Sequence, residues 1–255
     1  CVHITYQHIR IFWYCHFSFS SSFLCHLNIL TRLYPGCLTQ PIYGNIRIIY
    51  EINRNVKEGV PMKQILMIAT GGTIASKSSD TGLKPLITSD ELLTYVPDAR
   101  GFCHADTLQL LNIDSTNMQP FHWLKIADAI KKHYEAYDGF VICHGTDTMA
   151  YTAAALSYLI QNSKKPIVIT GAQKPIDLEI TDAKTNLMDS LLFASHDQAY
   201  GVTLVFDGKV IAGTRAKKER TKSYNAFSSI NFPYIATIQD QHVIFYLDDK
   251  KLLTG

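Results

Sequence analysis

The chain lacks the patterns that would announce a metal or nucleotide site. None of its six cysteines is spaced C-x2-C and none of its ten histidines is spaced H-x3-H, which excludes the common zinc arrangements. Four Cys-His dipeptides, at 15–16, 25–26, 103–104 and 143–144, read as chance and core packing, so no metal is expected. Neither G-x-G-x-x-G nor the lysine-bearing phosphate loop occurs, and no cofactor is expected. Excess charge is also missing. A net charge of +2 over 255 residues gives no reason to expect nucleic acid or membrane as a partner. Apolar residues at 47% are enough for a substantial core.

Residues 1–61 lack more than the rest. They contain no Asp, no Ala and a single lysine, Lys57, yet hold four of the six cysteines. No helical or strand period persists in them. Clean patterning begins at Met62. The expectation is that Met62 is the natural start and that 1–61 is a poorly ordered upstream extension. Lys57-Glu58-Gly59 supports this, because a purine-rich ribosome-binding sequence can encode it. The rival reading is a targeting segment, with Arg10 before the mostly apolar Ile11–Leu30. His16, His26 and the Ser18–Ser22 cluster dilute that run, and there is no Ala for an A-x-A cleavage site. Downstream of Met62 the cysteines are Cys103 and Cys143, which fits a reduced cytoplasm, the expected location.

From Met62 onward strands and helices alternate. Strands are expected at Gln64–Ala69, Thr107–Ile113, Gly139–Cys143, Pro166–Thr170 and Val202–Phe206, with a loop over Thr70–Pro85. Helices are expected from a Ser89 cap through Tyr95, from Pro120 to about Glu135, over Thr148–Gln161 and over Asp182–Ser195. Asp207-Gly208 reads as a hairpin turn into Val210–Ala212, and Gln241–Leu247 can pair with Tyr234–Ile238. This alternation predicts an α/β fold: a doubly wound, mostly parallel sheet flanked by helices, over 62–255.

The chemistry sits where strands stop. Ile65–Ser76 reads ILMIATGGTIAS and Val141–Met149 reads VICHGTDTM. In the first, two glycines permit a sharp turn and close approach of a substrate to Thr73, the candidate nucleophile. The alternative is a plain strand–helix connection or a phosphate cradle. In the second, Thr146 and Asp147 reach the same sheet edge. A threonine hydroxyl needs a base or a positive neighbour, and Lys218 can supply it if partly buried. Composition alone favours a solvated basic loop for Lys217, Lys218 and Arg220. A third loop, NIDSTNM over 112–118, offers Asp114, Ser115 and Thr116, with Asp114 as a helix cap the plainer reading.

TGGTIAS at Thr70–Ser76 and HGTDTM at His144–Met149 together resemble the two signatures of bacterial-type L-asparaginases. NIDSTNM, GAQKP at Gly171–Pro175 and the Lys218 region are similar to that family's other site loops. The resemblance runs from about Lys63 to the end. It implies that Thr73 attacks the side-chain amide of L-asparagine, and that Thr146, Lys218 and Asp147 form a second triad. It implies that Ser115 and Asp147 hold the substrate's carboxylate and amino groups. Gly145, Thr146 and Ala172 then line the pocket and help stabilise the oxyanion. A homo-oligomer, dimer or tetramer, is implied for the full-length protein. The family's smaller C-terminal domain is expected to be missing from the chain, and the family's flexible-loop Tyr has Leu83 nearest to its place. GLKPLITSDELLTYVP is similar to the cytoplasmic type. Two other functions stay open: an amidotransferase subunit acting on charged tRNA, and a nucleotide-binding module.

Overall fold

The computed structural model describes residues 61–79 and 82–246, so the expected upstream extension over 1–61 lies almost entirely outside the described residues. The strands are β1 (Lys63–Gly71), β2 (Ser76–Ser79), β3 (Gly82–Pro85), β4 (Cys103–Ile113), β5 (Gly139–Cys143) and β6 (Pro166–Thr170). After these come β7 (Gly201–Phe206), β8 (Lys209–Ala212), β9 (Ala216–Lys218), β10 (Phe227–Ser229), β11 (Ala236–Gln239) and β12 (His242–Phe245). The α-helices are α1 (Ser89–Thr94), α2 (Pro120–His133), α3 (Met149–Leu159) and α4 (Ala183–Ala194).

Eight strands form the main sheet, in the order β12-β11-β8-β7-β6-β5-β1-β4. β4, β1, β5, β6 and β7 run parallel. β8, β11 and β12 add antiparallel strands at one edge. β1, β5 and β6 are buried on both faces, which is why their sequences are nearly continuous apolar runs. Alternate residues feed two cores. Ile65, Met67, Val141 and Val168 pack on one face, with Leu187 and Leu191 of α4 and Leu92 of α1. Leu66, Ile68, Phe140, Ile142, Ile167 and Ile169 pack on the other, with Ile126 and Ile130 of α2 and Met149 and Leu156 of α3. Each such side chain contributes about 1.5–3 kcal/mol by leaving water. The expected mostly parallel, doubly wound sheet is the observed one.

Chain order reverses at β1. The chain leaves β1 for β4 on one side, then crosses back to β5 on the other. The carboxyl ends of β1 and β5 therefore flank a topological switch point, where loops diverge and leave a crevice.

Local differences from the sequence reading have plain causes. Within Thr70–Pro85, read as loop, Thr73–Ala75 is a 3-10 turn and β2 pairs antiparallel with β3. α1 is capped by Thr88, whose Oγ1 accepts from the Glu91 amide at 3.3 Å while Glu91 Oε2 accepts from the Thr88 amide at 2.8 Å. Ser89 lies one residue inside, buried, its amide donating to Gln109 Oε1 at 3.1 Å. Asp207 and Gly208 have φ of 52° and 67°, the type I′ pattern that Asp-Gly favours. Asp240 and Gln241, at φ 49° and 61°, make the same turn without a glycine.

Candidate functional site

Gly71 and Gly72 end β1 with φ of 102° and 84°, conformations that L side chains rarely adopt. The bend is held by the Gly72 amide donating to the Ile113 carbonyl at 3.1 Å. Thr70 Oγ1 donates to the Cys143 carbonyl at 2.9 Å, tying the ends of β1 and β5 together. A Cβ on Gly72 would lie 2.4 Å from the Gly145 nitrogen. The two glycines thus meet backbone to backbone, which brings the residues that follow them, Thr73 and Thr146, to the same end of the sheet. Thr73 opens the 3-10 turn and is half-buried above Ile74 and Ala75, which are fully covered.

Thr146 is buried and its hydroxyl is engaged on two sides. Lys218 Nζ donates to Thr146 Oγ1 at 2.8 Å and to Asp147 Oδ1 at 2.7 Å. The Lys218 side chain is 14% exposed and that of Asp147 is 57% exposed, so the cation is largely withdrawn and the carboxylate faces solvent. β9 carries Lys218 inward against Phe227 of β10, while Lys217 is exposed. The solvated-loop reading therefore fits Lys217 and not Lys218.

Ser115 is buried against Gly145: a Cβ on Gly145 would come 2.5 Å from Ser115 Oγ. Thr148 Oγ1 donates to the Ser115 carbonyl at 2.8 Å, joining this turn to the one after β5. Asp114 and Thr116 are exposed and bonded to each other. Asp114 Oδ1 accepts from the Thr116 amide at 2.8 Å and from its hydroxyl at 2.9 Å, so Asp114 caps its turn. The Ala172 side chain is fully buried in the core, which leaves its backbone as the part able to meet a ligand.

Several supporting residues carried no signal in the sequence. His144 is completely buried, and burial pushes its imidazole down to about 4, so it is neutral. One of its ring nitrogens, Nδ1, faces the Gly145 carbonyl at 2.7 Å, and a carbonyl can only accept, which puts the proton on Nδ1. Nε2 then accepts from Thr152 Oγ1 at 2.9 Å, and that oxygen accepts from Trp123 Nε1 at 2.9 Å. The relay fixes the turn that carries Thr146. The loop after β6 is held by Asp182, whose carboxylate accepts from the Gln173 amide at 2.9 Å and the Lys174 amide at 3.1 Å. Burial raises the Asp182 carboxyl, against the pull of those amides and of Asn186. Gln173 Oε1 accepts from Thr146 Oγ1 at 3.3 Å. Apart from the His144–Gly145 bond, these span from 8 to 29 residues, too far for any local pattern to announce. Among the described residues no group of three or more His, Cys, Asp or Glu is arranged to hold a metal ion. No helix among them is long and apolar enough to cross a membrane.

A flavodoxin-like strand order, with hydroxyl, amino and carboxylate groups gathered at its switch point, defines the class of the domain as doubly wound α/β. The family model "Asparaginase, N-terminal" matches residues 64–251, and the chain belongs to the asparaginase family. It is 40% identical over 182 residues to an L-asparaginase of Thermococcus kodakarensis, covering 71% of this chain and 55% of that protein. It is 39% identical over 201 residues to a glutamyl-tRNA(Gln) amidotransferase subunit of Pyrococcus abyssi, covering 75% of this chain and 45% of that one. A solved thermostable L-asparaginase of Thermococcus kodakarensis superposes with a TM-score of 0.69 at 38% identity, over 73% of this chain and 57% of that one. A probable cytoplasmic L-asparaginase of Campylobacter jejuni gives 0.66 at 33% identity, over 73% and 58%. The chain spans about half the length of the relatives it matches.

Proposed function

We propose that the full-length protein is an amidohydrolase that converts L-asparagine to L-aspartate and ammonia, with Thr73 as nucleophile. The observation that carries this is the Lys218 Nζ held at 2.8 Å from Thr146 Oγ1 and 2.7 Å from Asp147 Oδ1, on the turn whose Gly145 packs against the Gly72 that precedes Thr73. With Lys218 as the free amine, Thr73 Oγ1 attacks the side-chain amide carbon as Thr146 Oγ1 takes its proton; Thr146 hands its own proton to Lys218 Nζ, and the ammonium so formed protonates the departing nitrogen. The C–N bond breaks, ammonia departs, and water hydrolyses the resulting ester to aspartate and free Thr73. Backbone amides around Gly145, Thr146 and Ala172 stabilise the oxyanion. Asp147, acidic and solvent-facing, suits the substrate ammonium, and Ser115 its carboxylate. Asp114 and Thr116 support this reading less directly, by shaping the turn that presents Ser115. The reading extends to a cytoplasmic homo-oligomer, in keeping with the Campylobacter jejuni relative.

The amidotransferase subunits, at 39% identity, support a second reading in which ammonia is passed to a charged tRNA. One experiment separates the two. Ammonia release by the full-length protein is measured with L-asparagine, with L-glutamine, and with either amide in the presence of glutamyl-tRNA. Turnover of asparagine alone supports the first reading. Turnover that requires the tRNA sinks it in favour of the second.

A further inference from the structure

The Gln173 side chain makes bonds in two directions. Its Nε2 donates to the carbonyls of Arg220, at 3.4 Å, and Ser223, at 3.1 Å. Both are acceptors only, so the amide nitrogen must face them, and Oε1 must face Thr146 Oγ1 at 3.3 Å. The orientation of the amide is therefore set by its partners. Thr146 Oγ1 already receives a proton from Lys218 Nζ at 2.8 Å, so its own proton goes to Gln173. The hydroxyl that couples to the lysine is thereby fixed in direction.

The same side chain ties in the segment 219–226. That segment is braced within itself. The Glu219 amide donates to the Ala226 carbonyl at 2.8 Å, Arg220 Nη1 donates to Asn225 Oδ1 at 3.0 Å, and Ser223 Oγ donates to Asn225 Oδ1 at 3.1 Å. It begins directly after Lys218. Gln173 is in turn anchored by its own amide on the Asp182 carboxylate, at 2.9 Å. A single residue thus connects the loop after β6, the Thr146 hydroxyl and the segment that carries Lys218 to its place.

We infer that Gln173 is a positioning residue for proton transfer: it holds the Thr146 oxygen against Lys218 Nζ and keeps the Lys218 segment in register. This rests on the amidohydrolase reading above. The charged groups around its amide are Lys218 and Asp147 beyond Thr146, Arg220 on the braced segment, Lys174 over the Tyr224 ring, and Asp182 behind its backbone.

The test uses the full-length protein with Gln173→Met, which keeps the length and removes both bonding functions, and Gln173→Glu, which adds a negative charge beside Thr146. Ammonia release from asparagine is followed as kcat and KM across pH, with thermal melts as a check on folding. Gln173→Met is expected to lower kcat roughly tenfold, the scale of one well-placed hydrogen bond, with KM within about threefold of the parent. In Gln173→Glu the carboxylate keeps an acceptor for Thr146 but cannot donate to the Arg220 and Ser223 carbonyls, so kcat is expected to fall there as well. A parental kcat in either variant overturns the inference. So does a KM rise with kcat intact, which would make Gln173 a substrate contact. A second readout needs no turnover: hydrogen exchange at the Glu219 and Ala226 amides, which brace the segment after Lys218, should quicken in Gln173→Met. If the parent releases no ammonia from any amide, the functional reading fails, and unchanged exchange in Gln173→Met separately overturns the positioning role.

Discussion

Two turns in this molecule share a Gly-Thr step at a strand end, and they are built in opposite ways. Gly72-Thr73 leaves its hydroxyl-bearing residue half-open at the start of a short 3-10 turn. Gly145-Thr146 buries its threonine and clamps the hydroxyl between Lys218 and Gln173. Their backbones touch through glycines, so both stand at the same end of the sheet. On the proposed reading the contrast separates two jobs for one side-chain type. A hydroxyl that must travel to a substrate carbon needs room, and a hydroxyl that must pass a proton needs fixed partners.

The sharpest way to break this comparison is Thr73→Ala. If the open hydroxyl is the nucleophile, turnover falls by at least ~10^3 while the thermal melt stays where it was. Near-normal ammonia release would remove Thr73 from the mechanism. The clamped partner is tested next. Lys218→Met and Thr146→Val should each lower kcat about 10^2-fold, and the double variant should be little worse, because the two act as a unit. Lys217→Met, on the exposed side of β9, should stay within about threefold. A severe Lys217 defect beside a mild Lys218 defect would contradict the observed register of β9 against β10.

A smaller effect, on folding rather than on rate, tests the contact between the turns. Gly72→Ala sets a side chain at φ 84° and drives a methyl to 2.4 Å from the Gly145 nitrogen. A loss of about 3 kcal/mol in chemical unfolding is expected. A wild-type midpoint would show that the two turns can separate. The smallest effect concerns the support under Thr146. His144 is held neutral at about 4, below its ordinary 6.5, so its contribution to stability is complete above about 6.5 and fades as pH falls toward 4. Between pH 6.5 and 5 the protein should lose about 2 kcal/mol through this residue, and His144→Gln should remove that loss, making the variant gain stability relative to the parent as pH falls in urea titrations. Asp189, whose carboxyl burial pushes up to about 7, works in the other direction. Its contribution is complete below 3.8 and fades as pH rises through 7, so Asp189→Asn serves as the opposing control.

Much of the fold was legible because β1, β5 and β6 are apolar on both faces and need no tertiary information to be recognised. Pro120 and Asp207-Gly208 were legible because their backbone preferences are local. The β2–β3 hairpin was not, because Ser76–Ser79 offers no alternation of apolar and polar residues. Thr88 was hidden by Ser89, an equally good cap one position later. Thr73, Thr146, Asp147 and Lys218 stood out as residue types at strand ends. The choice of Lys218 over Lys217 came from family likeness, and its physical reason, burial of one face of β9, exists only once β10 is paired. Gln173 lies in GAQKP, which family likeness singled out, but its role, like those of Asp182 and Trp123, was out of reach, since each matters through a partner removed along the chain.

The Gly72–Gly145 contact also bears on how this gene responds to random mutation. On the proposed reading, changes at the threonines cost rate and leave soluble protein, so they would register in an assay of ammonia and not in one of expression. Changes at the adjoining glycines would do the reverse, and no compensating change at the other glycine can help, because neither has an atom left to give up. A screen that scores colour alone would merge the two classes. Sorting first by yield and then by activity would split neighbouring codons into two groups, and the border between them would trace the place where the two backbones meet.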